Sequence, residues 1–456
     1  MNLCGRFVRP LLVGSVVVGV ACSSHMAHGT GYDSALGLQT FDAAWSIVHE
    51  SHFDTTFNGV DWIGVREELR PQAAAAAAVD DLRGVIRGML ARLGQSHFSL
   101  IPREYAEGLD STEDVDAESI GGDAGLDVRV LDESVVVFRV DSGGPAFSEG
   151  IEPGWILLEI DGQSVGDQVK LALRSPAARP PVSVKVWERV MRNFAGPPGA
   201  VHRLELLDGH GTRRRVNVTL EPNPGEPVKF GNLPAIYARF AAHRVDDSEL
   251  GIEVGVIWFN TWMATLVHEV DQAVSDYRSL DGIVIDLRGN TGGLVAMVMG
   301  VAGHFYGERT TLGFMKTRHN ELRFFANPRR TDPSGNRVDP YSGPVAILID
   351  EMTASASEVL AGGMQATGRA RIFGTTSMGA VLPAVTDRLP NGDVLYHAFG
   401  DFTTASDVRL EGRGVIPDEV VPLTREELLA GRDAALAAAL RWIAGQQRNV
   451  GRNGRR

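Results

Sequence analysis

"GPVAILIDEMTASASEVLAGG", residues 343–363, changes character in the middle. Its first part, "GPVAILID", is a short and nearly continuous apolar run. That is how a strand buried on both faces reads. Its second part continues into "SEVLAGGMQATG", residues 357–368, which reads as a helix. Between them stand Thr353, Ser355 and Ser357, with Glu358 after them. The same alternation runs from about residue 250 onward. "GIEVGVIWF" is a strand, "TLVHEVDQAVSDYRSL" a helix and "DGIVIDLR" a strand. The glycine turn "GNTGG" leads into the apolar helix "LVAMVMGVAGHFYG", and "RARIFG" is a further strand. Apolar strands separated by helices imply a largely parallel sheet covered on both faces, an α/β core.

The chain has 456 residues, more than one domain usually needs. A net charge of −13 argues against a nucleic-acid partner, which needs a basic face. The basic end "QQRNVGRNGRR" reads as a frayed terminus. Both cysteines, Cys4 and Cys22, lie near the start, so the body has neither a disulfide framework nor a thiolate metal site. Residues 1–22 read as an export signal. Arg6 and Arg9 precede the apolar "PLLVGSVVVGVA", which is short for a membrane span. The junction "GVAC" resembles a bacterial lipoprotein signal, in which Cys22 would be lipidated and hold the protein to a membrane. The expectation is an exported protein of the periplasm or cell envelope.

Residues 36–110 form an N-terminal helical region. "FDAAWSIVHESHF" and "VDDLRGVIRGMLARLG" carry apolar residues at helical spacing, and Gly94 is a helix stop. "AAAAAA" at 73–78 reads as helix or linker, and residues 101–119 as an acidic linker. Residues 119–222 are different: "DVRVLDESVVVFRV" and "HRLELLDGHGTRRRVNVTLEP" read as hairpins. Between them, "DSGGPAFSEGIEPGWILLEIDGQSV" resembles the middle of a PDZ domain, with Trp155 where Asp is usual. Residues 167–200 exceed what a minimal PDZ domain needs, so an insertion is expected. Such a domain adds a peptide as an extra strand. The resemblance puts Gly125 and Leu126 at the amides that would take the peptide's terminal carboxylate.

A serine between a strand and a helix meets outward N–H groups and the positive end of the helix dipole, which suits an oxyanion. Ser355-Ala-Ser-Glu358 is equally a capping box. "DLRGNTGG", 286–293, is a second strand-to-helix turn, whose amides can form an oxyanion hole. It lacks the spacing of a phosphate-binding loop.

Together these turns resemble the C-terminal processing peptidases and their tricorn-like relatives, serine peptidases that often carry a PDZ domain. "DLRGNTGG", "DEMTASASE", "GRARIFGTTSMGA" and "GRGVIPDEVV" carry the resemblance. It implies a crotonase-like α/β peptidase core over residues 230–446, with Ser355 as nucleophile. Ala356 and either Gly292 or Gly293 would supply the oxyanion-hole amides. The processing branch uses a lysine that would fall at Ala380, but the chain has only Lys170, Lys185, Lys229 and Lys316. Arginine stays protonated and cannot replace it. The tricorn-like branch uses a histidine, and the resemblance picks out Ser96-His97 in "LGQSHFSL" and Glu411 in "LEGRGVIPD". His97 would take the serine proton, with Ser96 and Glu411 orienting it.

His49 and His52 suggest half a metal site at most, because no third ligand is apparent. "TREELLAGRDAALAAALRWIAGQQ" reads as one amphipathic helix. The expected activity is hydrolysis of peptide or unfolded protein substrates without a cofactor. The alternative is an inactive relative that only holds peptides. The oligomeric state is not legible.

Overall fold

The computed structural model describes residues 32–106, 121–174, 181–229 and 236–453. The signal expected at 1–22, with Cys4 and Cys22, lies outside the described residues, as do residues 107–120 of the expected linker.

Three helices open the fold: α1 (Ser34–Ser51), α2 (Trp62–Ala74) and α3 (Val79–Ala91). Asp33 caps α1 and Asp61 caps α2, each accepting backbone N–H groups of the first turn. Phe41, Trp45, Trp62, Leu82 and Ile86 bury their faces in one shared core. After α3 the chain turns at Gly94 and enters β1 (Ser99–Ile101). β1 pairs antiparallel with residues 394–396, almost 300 positions later.

The middle domain is an antiparallel sheet of β2 (Leu126–Leu131), β3 (Ser134–Val140), β4 (Ile156–Ile160), β5 (Val201–Leu207) and β6 (Arg213–Thr219), in that order. Two helices interrupt it, α4 (Val165–Arg174) and α5 (Val182–Arg192). Both fall largely within residues 167–200.

The core sheet runs β7 (Phe240–Asp247), β8 (Ile252–Phe259), β9 (Gly282–Asp286), then β12 (Val345–Ile349), β13 (Arg371–Gly374) and β17 (Glu419–Val420). All neighbours from β8 to β17 are parallel, and β7 joins antiparallel at one edge. The side chains alternate faces with the strand period of two. Ile283, Ile285, Val345, Ile347 and Ile349 meet α6 (Val267–Asp276), α7 (Val295–Ala302) and α8 (Ala356–Ala366). Val284, Ala346 and Leu348 meet α10 (Ala434–Asn453).

Two features depart from the sequence reading. Antiparallel strands are interleaved with the parallel unit: β10 (Thr310–Thr317) and β11 (Glu321–Ala326) with β16 (Gly400–Thr404), and β14 (Ala384–Arg388) with β15 (Val394–Ala398). The terminal helix is also two helices, α9 (Arg425–Leu429) and α10. Gly431 breaks it at φ +63°, where Asp433 accepts the Leu436 N–H at the start of α10 and pairs with Arg288.

Candidate active site

The three hydroxyls of the strand-to-helix turn have different fates. Thr353 is fully buried and donates to the Leu287 carbonyl at 2.9 Å. Ser357 is fully buried, accepts from Trp262 Nε1 at 2.8 Å and donates to the Asn290 carbonyl. Both are spent on joining this turn to the glycine turn. Ser355 alone makes no side-chain cap. Its backbone sits at φ 54° and ψ −119°, a conformation costing a non-glycine residue about 1–3 kcal/mol. The surroundings hold it there. Its N–H donates to the Ala380 carbonyl at 2.8 Å and to Glu358 Oε2 at 3.1 Å.

The glycine turn lies against it. A Cβ on Gly292 would stand 2.6 Å from Ser355 Cβ and 3.2 Å from Ala356 N, at φ +103°. Asn290, fully buried, shapes this turn by donating to the Phe259 carbonyl and accepting the Gly292 N–H at 3.0 Å. With the Gly292 N–H so engaged, Gly293 is left as the expected partner of Ala356. Asp350 joins the turns again, accepting from Gly289 N and Met352 N. Arg129 on β2 reaches that carboxylate from the middle domain, pairing with Asp350 and Asp127. Spacing did not single out Asn290, Asp350 or Arg129, because their roles exist only between turns far apart in the chain.

Glu358 Oε1 accepts from Ser377 Oγ at 2.6 Å and Gly379 N at 2.8 Å, and Oε2 from Ala380 N at 3.0 Å as well as Ser355 N. Burial raises its pKa to about 7, with these four donors pulling the other way. The carboxylate therefore hangs residues 377–380 on the first turn of α8.

Residues 96, 97 and 411 form one chain of hydrogen bonds. Ser96 Oγ donates to Glu411 Oε2 at 2.9 Å and stands 2.7 Å from His97 Nδ1. The Ser96 N–H donates to Glu411 Oε1 and the Val381 N–H to Oε2. Because Ser96 spends its proton on an acceptor-only carboxylate, its oxygen must accept from Nδ1–H. That tautomer leaves the lone pair on Nε2, as a base requires. Burial lowers the His97 pKa to about 4. The pairing of β1 with β15 carries this segment to the core, and Tyr396 of β15 lies against the imidazole, ring centres 5.6 Å apart. His52 supports the approach through Nε2 to Gln95 Oε1 at 2.9 Å. Among the described residues, no group of three His, Cys, Asp or Glu is placed to hold a metal.

His97 makes no hydrogen bond to Ser355 among the described residues. Instead His97, Ala354 and Ala380 line one cavity of about 270 Å³, which Val184 and Trp187 of α5 also line. Gly125 precedes β2 and Leu126 begins it, and neither lines this cavity. The Gly125 N–H is given to Asp123 Oδ1 at 2.9 Å.

Residues 253–421 match the model of peptidase family S41, and residues 38–91 that of the tricorn protease C1 domain. The carboxyl-terminal-processing protease of Synechocystis sp. is 26% identical over 415 residues, covering 88% of this chain and 86% of that protein. The chloroplastic carboxyl-terminal-processing peptidase 3 of Arabidopsis thaliana is 25% identical over 387 residues, with 83% and 68% covered. Among solved structures, the photosystem II D1 C-terminal processing protease superposes with a TM-score of 0.58 at 22% identity, covering 90% of this chain and 97% of that one. The tricorn protease superposes at 0.51 and 18% identity, over 91% of this chain and 37% of that one.

Proposed function

We propose, from the match of residues 253–421 to the model of peptidase family S41 and the likeness to carboxyl-terminal-processing proteases, that the chain is a serine-type hydrolase of that family and cleaves peptides and unfolded proteins through Ser355, His97, Ser96 and Glu411. Ser355 Oγ attacks the scissile carbonyl while His97 Nε2 takes its proton. The tetrahedral oxyanion is met by the Ala356 and Gly293 N–H groups at the start of α8, where the helix dipole favours negative charge. The imidazolium then protonates the leaving amine, and water activated by Nε2 hydrolyses the acyl-enzyme. Glu411, acting through Ser96, favours the imidazolium.

The single observation that carries this reading is the Glu411–Ser96–His97 hydrogen-bond chain, which leaves Nε2 as the unprotonated nitrogen of a histidine that lines one cavity with Ala354, the neighbour of Ser355 in the chain. It stands in a chain with no lysine after Lys316. The step requires His97 and Ser355 to close on each other when substrate binds, as resting catalytic hydrogen bonds often do. The protein acts after export, in the periplasm or cell envelope, held there through Cys22. Its PDZ-like domain borders the cleft through α5.

Labelling of the full chain by a fluorophosphonate tests the reading, beside Ser355→Ala, His97→Ala and Ser357→Ala. Labelling is expected in the parent and Ser357→Ala and absent in the other two. Absence from all four, where a control peptidase reacts, would favour a protein that only holds peptides. Labelling that survives His97→Ala would mean another base.

A further inference from the structure

We infer that α5 replaces the peptide groove of the PDZ-like domain and serves instead as the side-chain-selecting wall of the catalytic cavity, so that substrates are read by an internal apolar residue and not by their terminal carboxylate. This rests on the peptidase reading for its cavity, but the occupied groove is a separate observation.

A peptide adds to a sheet only where an edge strand is free. In this domain the edge beside the Gly125 turn is β2. α5 packs against both β2 and α4. Its Val186 and Val190 share one buried core with Leu126 and Val128 of β2. Trp187 Nε1 donates to Asp127 Oδ1 on the same strand at 2.8 Å. The amides that would greet a carboxylate and an added strand are partly spent, Gly125 N–H on Asp123 and Val128 N–H on Asp127. Covering an edge with a helix is a common way to keep other strands from adding to it. A peptide strand on β2 would have to remove buried valines first.

The other side of α5 faces the chemistry. Val184 and Trp187 line the cavity together with Met378, Tyr396, His97, Met352 and Ala354. Glu188 is the one lining residue among those described that carries a formal charge at neutral pH, and it stands at an exposed rim. Such walls favour an aliphatic side chain, and the rim repels an acidic one. With the Trp187 indole already on that wall, an aliphatic side chain packs there with less displacement than a second indole. Asp127 fixes the indole of Trp187, and Asp127 also pairs with Arg129, so this wall is tied to the ion pair at the nucleophile turn.

The test measures binding of fluorescent decapeptides to the full chain carrying Ser355→Ala, so that it stands whether or not the parent hydrolyses. One peptide pair differs only in a free against an amidated C-terminus, a second only in Leu against Trp at a central position, and a third in Leu against Glu. Expected are equal affinities within about threefold for the first pair and at least tenfold preference for Leu in the other two. Trp187→Ala should cut the Leu-over-Trp preference at least fivefold, and Trp187→Phe, a wall of similar width without the bond to Asp127, should retain most of it. A tenfold preference for the free carboxylate would overturn the inference. So would a Leu-to-Trp ratio that Trp187→Ala leaves unchanged in a protein still melting cooperatively, or failure of every peptide to bind. Failure of fluorophosphonate labelling in the parent would instead count against the peptidase reading.

Discussion

With His97 as the proposed base, its burial sets the acid limb of catalysis. An ordinary histidine titrates near 6.5, but burial pushes His97 down to about 4. A general base must be neutral to act, so the limb of kcat/KM follows the free-enzyme pKa. At pH 5.5 an ordinary histidine would be roughly one-tenth neutral, whereas one titrating near 4 would be almost wholly neutral, a difference of about tenfold in rate. The assay is the second-order rate of fluorophosphonate inactivation of the full chain between pH 4 and 8, with folding followed by circular dichroism. The expected profile stays near its plateau at pH 5.5 and falls toward pH 4. Replacing Ser96 with Ala removes the partner of Nδ1 and should lower the plateau at least tenfold. A limb centred between 6 and 7 in a protein that remains folded would refute the argument, because it would mean that the imidazole is as well hydrated in the working state as in a peptide.

Two further outcomes follow from the contacts around Ser355. Gly292→Ala sets a Cβ 2.6 Å from Ser355 Cβ at φ +103°, so it should cost about 2–4 kcal/mol in urea unfolding and abolish labelling; a variant that labels within twofold of the parent would contradict the close approach. Glu358→Gln faces an amide NH2 toward N–H groups that now donate to the carboxylate, and should destabilise by roughly 2–5 kcal/mol at pH 8. Because the folded pKa of Glu358 is raised to about 7, its ionisation works against folding. The stability it contributes is full below about 4.5 and lost as pH rises through about 7. The parent-minus-variant difference in unfolding free energy should therefore shrink from pH 5 to 8, and a difference that stays level over that range would show that Glu358 is ionised throughout it.

Much of the α/β core could be read because its strands are buried on both faces. Runs such as "VAILI" and "GIVID" carry no polar residue until their ends, and only a sheet between helices buries such runs twice. The antiparallel pieces escaped for the converse reason. "TTLGFMKT" mixes exposed and buried positions and pairs with a strand close to a hundred residues away, and "AVTDR" has no fully buried position to mark it as a strand. The break before α10 was hidden because "LLAGRDAAL" keeps helical spacing, while Asp433 is claimed by Arg288 from another element.

The chain's own letters decided the α/β class, the serine's place between a strand and a helix, and the absence of any lysine after Lys316. These are local properties: hydrophobic period, turn residues and the presence or absence of a side chain. Which hydroxyl is free was not local, because Thr353 and Ser357 lose theirs to Leu287 and Asn290 on another strand's turn. The meeting of Ser96 with Glu411, 315 positions apart, was not local either. It depends on β1 finding β15, and the titration of His97 and Glu358 depends on the water that this pairing and packing exclude. Hydrogen-bond partnership and desolvation belong to neighbours in space, and only the folded chain chooses those.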